Sequence, residues 1–112
     1  MSLLLDSPID ALKKYVEFPS VSADSNFSDG VTGAREFACD QLKELGFAVE
    51  LISTPINPII LATRGDPSWP RLVIYGHYDV QPPDPLDLWS SDPFIAVERE
   101  GRLYGRGAAD NK

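Results

Sequence analysis

The sequence predicts an α/β fold. Three observations predict it: two stretches of helical apolar periodicity within the first 45 residues, nearly continuous apolar runs after them, and a Pro-rich connection leading into a hairpin pattern. The first helix starts at Ser7-Pro8-Ile9-Asp10. Ser7 can accept from a backbone N–H three residues on, Pro8 suits the first helical position, and Asp10 can answer as the capping acid. Ile9, Leu12 and Val16 fall near one face, and Pro19 ends the helix. Residues 20–29, rich in Ser and Asp, read as a loop.

A second helix is expected over roughly 30–45, where Val31, Ala34, Ala38, Leu42 and Leu45 recur at three- and four-residue steps. Gly46 is placed to close it in a left-handed conformation. Cys39 lies off the centre of that stripe and reads as a small boundary hydrophobe. Strands follow at 47–53 and 59–63, with Pro55 and Pro58 bracketing a turn, and again at 71–75 after Gly65-Asp66-Pro67. The run Leu72-Val73-Ile74-Tyr75 has no polar alternation, which marks a strand covered on both faces. Phe94–Val97 and Arg102–Tyr104 flank Arg99-Glu100-Gly101 as a short hairpin. Only two helices are available to cover such a sheet.

Composition excludes several function classes. Hydrophobic residues at 43% and charged residues at 24% are ordinary globular values. A net charge of −7 opposes binding to nucleic acid or to anionic lipid. One cysteine, Cys39, rules out an intramolecular disulfide and a zinc site built on several thiolates. The apolar runs are far shorter than the ~20 residues that span a bilayer. Leu3-Leu4-Leu5 stops at Asp6 without a basic flank, so no secretory leader is expected. These features lead us to expect a soluble, cytoplasmic protein with neither nucleic acid nor membrane as partner.

The chemistry concentrates after the most apolar strand, at Gly76-His77-Tyr78-Asp79. Ligand sites in open α/β sheets gather at the carboxyl ends of strands. His77 is the only histidine in the chain. If the backbone stays extended, His77 and Asp79 project to the same side. Asp79 could then accept from one imidazole nitrogen while the other binds a metal, fixing the tautomer. The other reading of this tripeptide is a polar pair that ends a strand.

The wider pattern extends that reading. It runs Gly76-His77-Tyr78-Asp79-Val80-Gln81-Pro82-Pro83, then Trp89, then Asp92-Pro93-Phe94, and finishes Leu103-Tyr104-Gly105-Arg106-Gly107-Ala108-Ala109-Asp110-Asn111-Lys112. This resembles the cocatalytic di-zinc metallopeptidase family of dipeptidases, aminoacylases, carboxypeptidase G-like enzymes and acetylornithine deacetylases. The similarity is densest over 72–112, and Glu17-Phe18-Pro19-Ser20-Val21-Ser22 agrees more loosely. The resemblance implies the N-terminal part of a zinc-peptidase-like α/β/α sandwich with a mixed sheet, incomplete in this chain, with residues 1–112 one truncated portion of the catalytic domain.

The same resemblance makes His77 a zinc ligand, Asp110 the carboxylate bridging two zinc ions, and Asp79 the catalytic acid that orients the His77 ring. It also implies a cis bond between Asp110 and Asn111, of a kind that costs about 3–4 kcal/mol unless its surroundings enforce it. Arg106 is expected to pair with a carboxylate, Trp89 and Phe94 to anchor the long connection, and Gly105 and Gly107 to permit close backbone approach. The implied activity is hydrolysis of a peptide or N-acyl amide bond through a two-metal-activated water, with a dipeptide or N-acyl amino acid as substrate. The Gln-Pro-Pro-Asp-Pro loop and the Asp-Asn-Lys ending favour the dipeptidase branch over a deacetylase or desuccinylase, and the full-length protein is expected to be a homodimer.

His77 and Asp110 are only two ligands, whereas catalytic zinc takes three from the protein. No general base can be assigned either. The 112 residues alone are therefore expected to be inactive, and an apolar sheet with so little cover is expected to associate. The rival from another class is a non-catalytic binding or assembly domain that keeps the family's N-terminal half.

Overall fold

A computed structural model describes residues 6–112. The Leu3-Leu4-Leu5 run lies outside the described residues. Helix α1 spans Pro8–Val16 and begins as its sequence requires. Ser7 is extended, and its hydroxyl accepts from the Asp10 N–H at 3.2 Å. Asp10 sits in the first turn and Lys13 and Lys14 in the last, each complementing the helix dipole. Ala11 and Val16 form its buried face. Ile9 does not join that face: it is 49% exposed.

Residues 20–29 are more structured than their composition suggests. Ser20 and Val21 are fully buried, and Val21 forms a parallel bridge with Val80. A single 3-10 turn follows at Ser25–Phe27, capped by the Asp24 side chain, which accepts from the Asn26 N–H at 2.9 Å. Helix α2 spans Ser28–Glu44. Its first turn lies directly on the chain leaving α1: a Cβ on Gly30 would stand 2.3 Å from the Pro19 carbonyl oxygen. Only glycine allows that approach, and it fixes where Ser20–Ser22 run. Tyr15, Phe18 and Phe37 close the contact between helices, with Phe37 ring centroids 5.2 and 5.7 Å from those of Tyr15 and Phe18.

The α2 stripe is turned slightly from its predicted centre. Gly30, Val31, Ala34 and Cys39 are its buried residues, whereas Ala38, Leu42 and Leu45 border a cavity of about 360 Å³ between the helices. Burial raises the Cys39 thiol above its ordinary pKa, which keeps it inert, as expected of a packing residue. Gly46 ends the helix with φ +84°.

Strands β1 (Ala48–Ile52) and β2 (Ile59–Thr63) form an antiparallel pair, with Ala48 opposite Thr63 and Ile52 opposite Ile59. Strands β3 (Val97–Arg99) and β4 (Arg102–Tyr104) form a second hairpin, whose turn residues Glu100 and Gly101 have φ of 51° and 73°. Positive φ at both positions is what a two-residue turn needs to match strand twist. The α/β class therefore holds. Among the described residues, the mixed character consists of two antiparallel hairpins and the one parallel bridge.

The expected third strand joins no ladder. Residues 71–75 are extended in sequence character but carry no strand pairing, and Leu72, Val73, Ile74 and Tyr75 are each 85–86% exposed. An all-apolar segment has no solvent face to offer, so it pairs only where both faces are covered. The described residues provide no such cover. The radius of gyration, 15.2 Å, exceeds the ~13 Å of a compact domain this size. Burying each such side chain is worth about 1.5–3 kcal/mol, so the chain should self-associate. Sedimentation should show concentration-dependent assembly that Val73→Lys suppresses; a monodisperse wild-type monomer at high concentration would contradict this.

Candidate metal centre

Two backbone segments meet where the chain leaves the unpaired run. The Val80 N–H donates to the Ser20 carbonyl at 2.9 Å, and the buried Ser20 hydroxyl donates to the Tyr78 carbonyl at 2.7 Å. The Tyr78 hydroxyl donates to the Pro58 carbonyl at 2.6 Å, tying the turn between β1 and β2 to the same place. His77 and Asp79 are thus held on either side of a bend at Tyr78, not on the straight extended run their spacing suggested.

Asp110 arrives from the other end of the chain. Gly107, with φ +96°, turns the backbone where an added Cβ would stand 3.0 Å from Val80. The Lys112 N–H then closes the turn onto the Gly107 carbonyl at 2.9 Å. The Lys112 ammonium reaches back beneath α1 and donates to the Tyr15 and Phe18 carbonyls at 2.9 and 2.7 Å. Burial lowers its pKa to about 8 and raises that of the neighbouring Tyr15 phenol to about 12. The Asn111 side-chain oxygen accepts from the His77 N–H at 3.3 Å.

The three residues singled out from the sequence therefore converge. His77 Nε2 stands 3.0 Å from Asp110 Oδ1, although 33 positions separate the two residues. His77 Nδ1 faces the Asp79 carbonyl oxygen at 2.9 Å and Asp79 Oδ1 at 3.1 Å. A carbonyl oxygen only accepts, so the Nδ1 contact places a proton on Nδ1. The hydrogen bond to the Asp79 carbonyl is the main cause that raises the His77 pKa above 6.5; partial burial opposes it, and Asp110 and the Asp79 charge add to it.

With Nδ1 protonated, the Nε2 lone pair of the neutral ring confronts the Asp110 carboxylate. Two electron-rich donors at 3.0 Å call for a cation between them. A proton fills that role when the ring is charged; a metal ion would fill it otherwise. Donors bound tetrahedrally to one zinc at ~2.0–2.1 Å lie about 3.3 Å apart, close to the spacing seen. The pair thus suits a divalent metal but does not complete its shell. Among the described residues, no three His, Cys, Asp or Glu side chains gather into a group that could hold one.

Two expectations are corrected here. The Asp110–Asn111 bond is not cis; the cis bond of the described residues is Asp84–Pro85. Arg106 pairs with no carboxylate. Its guanidinium donates to the Pro82 carbonyl at 3.0 Å and lies 5.2 Å from the centroid of the Trp89 ring, because the Pro-rich loop offers carbonyls rather than acids at that point. Trp89 and Phe94 do anchor the connection: the indole N–H donates to the Pro83 carbonyl at 2.8 Å, and Phe94 packs on Phe27 at 6.3 Å between centroids.

Sequence reasoning missed Ser20, Ser22, Asn111 and Lys112 as parts of the site. Ser22 donates to Asp79 Oδ2 at 2.6 Å. The signal was the alternation Ser20-Val21-Ser22, polar and apolar with period two, inside a segment whose composition reads as loop.

A sequence profile described as "Peptidase family M20/M25/M40" matches residues 73–112. The mouse Beta-Ala-His dipeptidase is 40% identical over 96% of this chain and 25% of its own length. The Xylella fastidiosa succinyl-diaminopimelate desuccinylase is 38% identical over 100% of this chain and 27% of its own. In structure, human carnosine dipeptidase 1 matches with a TM-score of 0.85 at 37% identity, covering 97% of this chain and 26% of that one. The chain thus spans about a quarter of the length of the curated relatives it matches. The profile covers the stretch holding His77, Asp79 and Asp110, and the likeness in sequence and structure to these dipeptidases and desuccinylases extends over the rest of the chain.

Proposed function

We propose that residues 1–112 form the N-terminal portion of the catalytic domain of a metal-dependent hydrolase that cleaves dipeptides. The observation that carries this is the meeting of His77 Nε2 and Asp110 Oδ1 at 3.0 Å, with Asp79 on the opposite ring nitrogen. His77 would hold one zinc ion through Nε2, and Asp110, having two carboxylate oxygens, would be shared between two. When bound, such ions supply Lewis acidity that polarises the scissile carbonyl. Asp79 keeps the Nδ1 proton in place and so keeps Nε2 free as a donor. Lys112 and Asn111 hold the Asp110 turn against α1 and the His77 backbone.

Two donors do not bind a catalytic metal tightly, and no base accompanies them. The 112 residues alone should therefore take up zinc only weakly and hydrolyse nothing. The desuccinylase likeness over the full chain supports a second reading, removal of an N-acyl group from an amino acid. A cytoplasmic location, supported by the single cysteine, and a homodimeric full-length state belong to the same proposal.

The test replaces the corresponding segment of the mouse dipeptidase with residues 1–112. The chimera should hydrolyse a dipeptide in a metal-dependent, chelator-sensitive way, and N-succinyl substrates assayed in parallel distinguish the two readings. A folded chimera inactive on both substrates sinks the hydrolase assignment. Tight, stoichiometric zinc uptake by the isolated chain, measured by calorimetry, sinks the two-donor account.

A further inference from the structure

We propose that Ser22 is a positioning residue for the His77 imidazole, acting through Asp79 to keep the ring proton on Nδ1; the proposal rests on the metal-centre reading above. Its basis is the isolated bridge between Val21 and Val80 and the hydrogen bonds beside it. Val21 bridges to Val80 in parallel register, so Ser20 and Ser22, two residues apart, point to the same side. Ser20 donates to the Tyr78 carbonyl at 2.7 Å, and Ser22 donates to Asp79 Oδ2 at 2.6 Å. Two hydroxyls from one segment thus fix both the backbone before Asp79 and its carboxylate.

The carboxylate needs that second point. The terminal torsion of an aspartate is broad and roughly two-fold, so a carboxylate held at one oxygen can swing. With Oδ2 bound to Ser22, Oδ1 is left facing His77 Nδ1 at 3.1 Å. The opposite ring nitrogen faces Asp110 Oδ1 at 3.0 Å. A neutral imidazole carries one proton, for which Asp110 on one side competes with the Asp79 carbonyl, at 2.9 Å, and carboxylate on the other. Only the Nδ1–H form leaves the Nε2 lone pair available to a cation. Ser22 favours that form by aiming Asp79. Because Ser22 is itself exposed, its hydrogen bond competes with water and contributes direction rather than stability.

His77 is the only histidine, so imidazole ¹⁵N resonances report this ring alone. The spectra are recorded on the metal-free 112-residue chain at a pH high enough for the ring to be neutral. Wild type should show mainly Nδ1–H. Ser22→Val should lower the ratio of Nδ1–H to Nε2–H by about threefold or more, the size of a lost hydrogen bond to a charged acceptor discounted for exposure. Ser22→Thr, which has the shape of the valine variant and keeps the hydroxyl, should restore it; comparing these two cancels any effect of side-chain bulk on the fold. Equal ratios in the Val and Thr variants, or a wild-type ring that is mainly Nε2–H, overturn the proposal. Since this readout uses neither metal nor turnover, an inactive chimera would remove the hydrolase reading while a hydroxyl-dependent tautomer still established the positioning role.

Discussion

His77→Ala and Asp110→Ala, each made in the chimera, are expected to abolish metal-dependent hydrolysis. Each removes one of the two donors that meet at 3.0 Å, and a metal left with too few protein ligands is lost to water. The loss in kcat/KM should exceed the about 10–100-fold that follows from losing a hydrogen-bond partner of a ligand. Bound metal, measured by mass spectrometry after dialysis, should fall with the activity. His77→Ala leaves the fold intact, because the ring is partly exposed and its backbone N–H, not its side chain, holds Asn111. If either variant kept both its metal and its rate, the two residues would not be ligands, and the centre would have to be sought elsewhere.

Asp79→Asn is expected to separate metal from rate. The amide keeps the shape and one oxygen, so His77 and Asp110 still bind. It removes the charge beside Nδ1, and if its NH₂ turns toward the ring it forces the other tautomer. Turnover should drop by about 10–100-fold with most of the metal retained, and Asp79→Glu, which keeps the charge at a different reach, should recover part of it. An unchanged rate in Asp79→Asn would show that the Nδ1 contact to the Asp79 carbonyl, at 2.9 Å, holds the ring without the carboxylate.

The two helices and the hairpin turn were legible because each carries its own local reason, although the first strand of that hairpin is Val97–Arg99 and not Phe94–Val97. Ser7 caps, Pro8 starts, Gly46 stops, and Glu100-Gly101 supplies a turn with positive φ at both residues. The candidate site was legible in part. His77 and Asp79 lie two residues apart, so they are neighbours by sequence, although the chain bends at Tyr78 between them. The distant Asp110 entered through the resemblance of an ordered set of motifs, not through spacing. Ser22 was hidden because it follows a single bridging residue, Val21, amid Ser and Asp that have the composition of a loop, and the partner of that bridge, Val80, is 59 positions away. Arg106 was placed with the wrong kind of partner for the same reason. A guanidinium accepts any nearby oxygen, and which one is near depends on the path of the Pro-rich loop.

By itself the sequence determined what depends on neighbours along the chain: the element types, the absence of a disulfide, and the His-x-Asp pair with its shared side. The tertiary structure decided what depends on segments far apart. It brought Asp110 to Nε2, laid Ser22 on Asp79, and left Leu72–Tyr75 unpaired. The physical reason is one of range. Caps, turns and periodicity are satisfied within a few residues, whereas a donor pair or a strand ladder exists only once the chain has paid the entropy of closing a long loop.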